Sequence, residues 1–248
     1  MKKIIAITLA LTAFAAILSG CSGESDSSSS SPQSSQVQTT KEEESSKTLE
    51  DIQKIEQEYM DNGLRGALDA AIDRPYYIWF PKDTVPRHCA CGYGSMPYDG
   101  ILPICIAGSL EFSPEFDVDI TQIKTNEDII PVMTNSFAQL VSYADINYRD
   151  NAKIEISSTE NKTVKDADGN NNDACYSKGI YSCSYLAPLK ETKTENFQFV
   201  AYSLMWGPDT PFFVAVLDVS EEQNKLAECE EALEFMISTL REPDESEY

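Results

Sequence analysis

Hydrophobic residues recur every three or four positions in four stretches of the chain, which is the spacing of helices that bury one face. We expect the second helix to stop before Pro75, because a residue that precedes proline avoids the helical region. We expect the last helix to begin at Ser220, where a serine is followed by two glutamates. The four stripes are Leu49, Ile52, Ile55 and Tyr59; Leu64, Leu68 and Ile72; Met133, Phe137, Leu140 and Val141; and Leu226, Cys229, Leu233, Met236 and Leu240.

Other stretches are rich in β-branched and aromatic residues or alternate between apolar and polar positions, and they predict strands or extended segments. Asp168-Gly169, followed by three asparagines, predicts a turn, and residues 206–211 predict the turn of a hairpin. Residues 84–100 contain three glycines and two prolines and are expected to be irregular. The predicted strands or extended segments cover residues 76–80, 101–107, 109–120, 152–158, 175–186, 196–205 and 212–219.

The order of these elements predicts an α+β fold in which an antiparallel sheet packs with helices. Residues 48–242 form a single expected domain, and residues 243–248 form an acidic tail. From residue 109 to 241, the run 197–219 followed by the helix pattern 221–241 resembles the PsbP-like α-β-α sandwich. This resemblance implies a protein-binding or accessory role more often than an enzyme, and it transfers no functional residue.

The N-terminus has the pattern of a secretory signal peptide over residues 1–20. Lys2 and Lys3 precede an uncharged apolar stretch from Ile4 to Ile17, which is too short for an ordinary membrane span. Leu18-Ser19-Gly20-Cys21 resembles the lipobox of bacterial prolipoproteins. The resemblance implies cleavage before Cys21 and a diacylglyceryl and palmitate-type lipid anchor on that cysteine, which would hold the protein to the cell membrane.

Residues 21–47 form the expected tether. Eleven of the 26 residues after Cys21 are serine and one, Val37, is aliphatic, so this disordered linker cannot bury enough surface to fold. As a flexible coil it would reach roughly 30 Å. A long serine-rich tether favours a Gram-positive cell surface; Ser22, in place of an aspartate, would also allow an outer-membrane location.

The charge balance constrains the partners. The chain has 19 Lys and Arg against 41 Asp and Glu, a net charge of −22. This balance argues against nucleic-acid binding, which needs basic residues against phosphates. An acidic surface is explained by solubility alone, and it is also compatible with a neutral or cationic partner. We expect such a partner to be another envelope protein or an extracellular ligand.

Six cysteines remain once Cys21 is set aside, and an even number in an exported chain favours disulfides. Cys89 and Cys91 are too close in sequence to pair with each other comfortably, and Cys105 is the nearest candidate partner. For Cys229, on the stripe of the last helix, a buried and inert thiol is the alternative. The six are Cys89, Cys91, Cys105, Cys175, Cys183 and Cys229.

The only histidine, His88, lies beside Cys89 and Cys91. A histidine and two thiolates could bind Zn²⁺ or Cu(I), or could form a redox centre. The spacing does not fit zinc fingers or ribbons, and a disulfide-pinned loop is the interpretation we favour. No P-loop, G-x-G-x-x-G, G-x-S-x-G or H-E-x-x-H motif is present, so the sequence predicts no cofactor and no catalytic residue.

Two further features have a structural and a functional interpretation. Residues 166–170 suggest a calcium loop but do not match an EF-hand, and a polar hairpin turn is the simpler interpretation. Trp206, with Met205 and Phe212, would suggest contact with a protein or glycan if exposed at a hairpin tip. Core packing of the same residues is the interpretation we favour.

Three functions are compatible with these features. The first is a membrane-anchored, extracytoplasmic, non-enzymatic binding or accessory domain, which we favour. The second is a small extracytoplasmic metal or redox protein, or an enzyme, that uses the loop of His88, Cys89 and Cys91. The third is a solute-binding component of a transporter, whose usual form has two lobes around a cleft.

Overall fold

The computed structural model describes residues 48–70, 72, 74–82, 84–89, 92–97, 103–109, 120–134, 137, 149–186, 192–208 and 210–247. The signal segment, Cys21, the tether, Cys91 and the side chain of Cys89 lie outside the description, as do Leu140 and Val141. The described residues all belong to one compact unit, Glu44–Tyr248.

Nine strands and three α-helices are described, together with three short 3₁₀ segments. The 3₁₀ segments are Ile120–Gln122, Asn126–Asp128 and Glu245–Glu247. The helices are α1 (Leu49–Asp61), α2 (Ile129–Val132) and α3 (Leu226–Ser238). The strands are β1 (Arg65–Asp69), β2 (Tyr76–Phe80), β3 (Thr84–Cys89), β4 (Gly92–Pro97), β5 (Ile104–Ser109), β6 (Arg149–Lys165), β7 (Asn171–Leu186), β8 (Thr192–Met205) and β9 (Pro211–Asp218).

Seven strands form one antiparallel sheet in the order β3-β4-β5-β9-β8-β7-β6, and β1 and β2 form a separate pair. Both faces of the large sheet are covered at its centre. On one face, α3 and the β1–β2 pair bury Val200, Tyr202 and Leu204; on the other, the segment around α2 covers Phe199 and Ala201. The predicted α+β architecture, an antiparallel sheet packed with helices, is therefore confirmed.

The last strand, β9, lies in the middle of the sheet between β5 and β8, and all eight of its residues are buried. Phe212, Val214 and Val216 face α3, while Phe213 and Leu217 face the opposite core. A strand covered on both faces has an almost continuous apolar sequence instead of an alternating one. This explains the uninterrupted run from Phe212 to Leu217.

Helix α1 is placed by its N-terminal cap and by aromatic contacts. Thr48 and Asp51 form a capping box, which satisfies backbone N–H groups at the start of the helix. Tyr59 packs edge-on against Trp79 of β2 and Phe235 of α3, with ring centroids 5.3 and 5.7 Å apart. The first predicted helix is thus confirmed.

The predicted second helix, over Leu64, Leu68 and Ile72, is wrong, because residues 65–69 form strand β1. Ala67 and Asp69 are buried on one side, which is the two-residue period of a strand. Gly66 accounts for the close pairing: a Cβ there would lie 2.2 Å from the hydroxyl of Tyr77 on β2.

The expectation that residues 84–100 are irregular is also wrong, because they contain the β3–β4 hairpin. Pro86 is tolerated because β3 is an edge strand of the sheet. Gly92 has φ 143°, and a Cβ there would lie 2.2 Å from the carbonyl oxygen of Ala107 on β5. The proline and glycines that predict a loop are instead suited to a strand edge and to close contact between strands.

The last helix begins at Leu226 and not at Ser220. The carboxylate of Asp218 accepts hydrogen bonds from the backbone N–H groups of Ser220 (2.9 Å) and Lys225 (2.8 Å). These bonds hold residues 220–225 as a connection, so the serine and glutamates that predict a helix start lie in a turn. The predicted stripe of α3 is confirmed, since Cys229, Leu233, Met236 and Leu240 are buried.

Candidate binding groove

The structure places His88 on β3 beside a buried carboxylate. Its Nε2 lies 3.9 Å from Oδ2 of Asp69, and its ring packs edge-on against Tyr93 at 5.1 Å. The side chain of His88 is 58% exposed, whereas that of Asp69 is 7% exposed. Among the described residues, no group of three or more His, Cys, Asp or Glu side chains could hold a metal ion. The metal hypothesis also requires Cys89 and Cys91, so it stays a prediction.

The disulfide prediction is wrong for two cysteines. Cys175 and Cys229 are buried free thiols. Cys229 lies against the sheet on the inner side of α3, and burial, with help from Asp218, raises the pKa of its thiol to about 12. Cys105 and Cys183 lie in the cores on opposite faces of the sheet. For Cys229 the inert-thiol interpretation is confirmed, because the cysteine acts as a small apolar core residue.

The candidate calcium loop is a hairpin turn between β6 and β7. Asp166 is buried, and its Oδ1 accepts hydrogen bonds from the backbone N–H groups of Asp168 (3.0 Å) and Asn170 (2.8 Å). Its Oδ2 accepts from the side chain of Asn172 at 3.0 Å. The Asp166 carboxylate is thus engaged by the turn itself, which is the usual role of an aspartate in a turn.

Trp206 and Phe212 are core residues, so the core-packing interpretation of these two positions is confirmed. Trp206 is 2% exposed, and its indole N–H donates to the carbonyl oxygen of Pro75 at 3.3 Å. The guanidinium of Arg74 stacks on its ring, 4.5 Å from the centroid. Trp206 therefore joins the large sheet to the segment before β2.

An open groove of about 650 Å³ lies between α3 and strands β6 and β7. We name it the tyrosine–glutamate groove. The helix contributes residues three or four positions apart, which share one face. The strands contribute residues two apart, which also share one face. The lining residues are Glu160, Lys162, Tyr176, Lys178, Ala227, Glu230, Glu231 and Glu234.

The register of the sheet brings the groove together. Glu160 of β6 pairs with Tyr176 of β7, and Tyr176 pairs with Tyr202 of β8, so these three side chains form one row across the sheet. The rings of Tyr176 and Tyr202 are 5.3 Å apart. Tyr202 lies beneath α3 and Tyr176 at the edge of the helix, so the row continues from the core into the open groove.

Two glutamates of α3 accept hydrogen bonds from the phenolic hydroxyl groups of this row. Tyr176 donates to Glu230 at 2.7 Å, and Tyr202 donates to Glu234 at 2.6 Å. Lys178 also donates to Glu230, at 2.5 Å. Burial and these hydrogen bonds raise the pKa of both tyrosines well above its usual value. Hydrogen bonds from Lys178 and Tyr176 lower the pKa of Glu230.

Lys162 of β6 places its ammonium group on the two aromatic rings. Its Nζ lies 4.0 Å from the ring centroid of Tyr176 and 5.9 Å from that of Tyr202. Both distances are within the range of cation–π attraction. Its nearest carboxylate contact, to Glu160, is longer at 3.8 Å, and the lysine side chain is one-third exposed. The ammonium of Lys178 lies 5.5 Å from the Tyr176 ring centroid, so the groove already holds two ammonium groups supplied by the chain itself.

The groove carries an excess of negative charge. Four glutamates line it against two lysines. Lys178 neutralises Glu230, whereas Glu231 and Glu234 form no ion pair with any described lysine or arginine. The arrangement can therefore accept a further cationic group. None of these residues is singled out by the sequence, because the contacts join positions 160, 176, 202 and 230 through sheet register and helix packing.

The comparisons with known proteins identify no family. No family model matches the sequence, and no curated protein matches it. Among solved structures, the chain is similar to the solution structure of cyanobacterial PsbP (CyanoP) from Synechocystis sp. PCC 6803. The identity is 12% and the TM-score 0.38, and the match covers 73% of this chain and 94% of that chain. A TM-score this low supports no statement about function.

The described part of the chain contains no helix with the length and apolar character of a membrane span.

Proposed function

We propose that this protein is an exported lipoprotein whose folded domain is a non-enzymatic binding module, and that it engages its partner through the tyrosine–glutamate groove. The observation that carries the binding role is the groove itself, where an excess of carboxylates lies open to solvent beside the Tyr176 ring, between α3 and strands β6 and β7. The lipobox of residues 18–21 supports the anchoring role.

The protonation states in the groove favour binding over catalysis. A general acid or base works best when its pKa lies near the working pH. Here the pKa of Tyr176 and Tyr202 is raised and that of Glu230 is lowered, so each group moves away from neutrality. The groove therefore presents fixed charges and hydroxyl groups at neutral pH.

Anchoring is tested by metabolic labelling with an alkyne fatty acid, followed by separation of membrane and soluble fractions. We expect the wild-type protein to be labelled and to remain with the membrane, and Cys21→Ala to lose both properties. Labelling that persists in the Cys21→Ala variant would contradict the proposed anchor.

Binding at the groove is tested in intact cells with a photo-crosslinking amino acid in place of Ala227, which lines the groove. The matched control carries the same amino acid in place of Gln57, an exposed residue of α1 that does not line the groove. We expect a discrete adduct from position 227 only, and its loss when Glu234→Gln is added. Equal adducts from both positions, or none from position 227, would contradict a binding role for the groove.

A further inference from the structure

We propose that the tyrosine–glutamate groove binds an extended, lysine-containing segment of a partner protein, and that a lysine of this segment displaces Lys162 from Tyr176 and Tyr202. This inference rests on the proposed function, which makes the groove the binding surface. It adds the chemical class of the partner and the exchange by which it binds.

The position of Lys162 shows which group the rings accept. Its ammonium lies over the Tyr176 ring at 4.0 Å and is farther than hydrogen-bond distance from Glu160, at 3.8 Å. Tyrosine faces attract ammonium groups through the ring quadrupole. Because the Lys162 side chain is one-third exposed and bound only by these weak contacts, it can move into water with little loss.

The carboxylates show where further lysines would pair. Glu231 and Glu234 are exposed on α3 and form no ion pair with a described lysine or arginine. Residues three apart on a helix are neighbours, with Cβ atoms about 5–6 Å apart. Alternate residues of an extended segment point to the same side about 7 Å apart. Lysines at alternate positions of such a segment therefore match this spacing.

The shape of the groove favours a segment over a single small cation. It is open to solvent and has a volume of about 650 Å³, which is far more than a single ammonium group fills. The net charge of the chain, −22, would also attract a basic segment from a distance.

The experiment measures binding of a synthetic peptide to the full chain purified in neutral detergent. The probe is a capped peptide of alternating serine and lysine with a fluorescent label, followed by anisotropy. The control peptide has every lysine acetylated, which removes the charge and keeps the length. We expect binding of the lysine peptide and none of the acetylated peptide.

Four variants distinguish displacement of Lys162 by the peptide from attraction of the peptide to the net negative charge of the protein. Removing Lys162 takes away the ammonium nearest to the Tyr176 ring and leaves that of Lys178 at 5.5 Å, so Lys162→Ala should tighten binding about 2- to 5-fold, the range expected for one exposed cation–π contact. Lys165→Ala removes the same charge from an exposed position on the same strand and is the matched control, with a smaller effect expected. Glu234→Gln should weaken binding, whereas Glu221→Gln, in the turn before α3, should leave it unchanged.

A direct readout follows Lys162 itself. Protons near the face of an aromatic ring resonate upfield, so the ε-methylene protons of Lys162 should be shifted upfield in the free protein. Saturation with the lysine peptide should return them towards the value of a solvated lysine. This change would not arise from a peptide that binds elsewhere.

Three results would overturn the inference: equal tightening by Lys162→Ala and Lys165→Ala, equal weakening by Glu234→Gln and Glu221→Gln, or an unchanged Lys162 resonance at saturation. A peptide that fails to bind while the adduct from position 227 still forms in cells would refute the lysine segment alone. Loss of both would refute the groove as a binding surface.

Discussion

Arg241 offers a sharp test of what holds the termini of the domain together. Its guanidinium, 5% exposed, donates two hydrogen bonds of 2.8 Å to Glu247 and a further bond to Glu56 of α1. It also stacks on the ring of Tyr77, with Cζ 4.4 Å from the centroid. One side chain thus joins α1, β2 and the residues after α3.

Replacing Arg241 by methionine keeps much of the stacking volume and removes the charge. Breaking a buried ion pair destabilises a protein by about 3–5 kcal/mol. Glu56 and Glu247 are 20% and 24% exposed, so water can partly solvate them after the change. We therefore expect a loss of about 3 kcal/mol, at the lower end of that range.

The loss is measured by urea unfolding of the full chain and by thermal denaturation. For a domain of this size, each 1 kcal/mol shifts Tm by about 2–4 °C, so Arg241→Met should lower Tm by about 6–12 °C. The matched control is Arg74→Met. Arg74 also pairs with a glutamate and stacks on an aromatic ring, but its side chain is 35% exposed, and exposed contacts of this kind contribute about 1 kcal/mol or less each. A loss below 1 kcal/mol for Arg241→Met, or equal losses for the two variants, would refute the reasoning.

Four further predictions follow from single contacts. Hydrogen bonds from Arg241 lower the pKa of Glu247 below its ordinary 4.5, so this pair stabilises the fold above that pH and its contribution disappears as the pH falls through the lowered pKa. The free energy of unfolding should therefore fall less steeply with decreasing pH in Glu247→Gln than in the wild type. An unchanged slope would count against the pair. Asp166→Ala should destabilise the protein by about 1–2 kcal/mol in urea unfolding, because it removes the charged acceptor of the part-buried hydrogen bonds that hold the β6–β7 turn. A loss under 0.5 kcal/mol, the usual size of a surface substitution, would contradict this role. Since burial raises the pKa of Cys229 to about 12, iodoacetamide at pH 8 should modify it far more slowly in the native protein than in urea, and equal rates would show an accessible thiolate. If the His88 loop binds metal, equilibrium dialysis of reduced protein should retain Zn²⁺ and His88→Ala should lose it; the absence of Zn²⁺ from the wild type would exclude this site.

The regular elements of this fold could be predicted from local patterns. The stripes of α1 and α3 and the strands of the C-terminal half have clear periods, and each lies close to its predicted position. Strand β1 has only five residues and contains Gly66, so its pattern is too short to distinguish a strand from one turn of helix. The β3–β4 hairpin could not be predicted, because Pro86 and Gly92 are typical of loops. Their positions at a sheet edge and against a neighbouring strand depend on the tertiary structure, which a single sequence does not specify.

The groove could not be predicted in the same way. Lys162, Tyr176 and Glu230 are ordinary residues in an acidic chain, and their contacts depend on which strand lies beside which and on where α3 crosses the sheet. Alternating polar and aromatic residues on β7 and β8 indicate a face that is partly exposed. They do not indicate that a helix borders that face with carboxylates.

The central place of β9 has a consequence for the order in which the protein can be completed. Ser109 at the end of β5 pairs with Phe212 of β9, so more than a hundred positions separate the two partners. Contacts between such distant positions slow folding. During synthesis from the N-terminus, β5 lacks its β9 neighbour until β9 has been made. The β3–β4–β5 half of the sheet cannot pair with the β6–β7–β8 half before then. Strand β9, the last of the described strands, therefore completes the sheet, and the domain reaches its full stability only after this strand has been added.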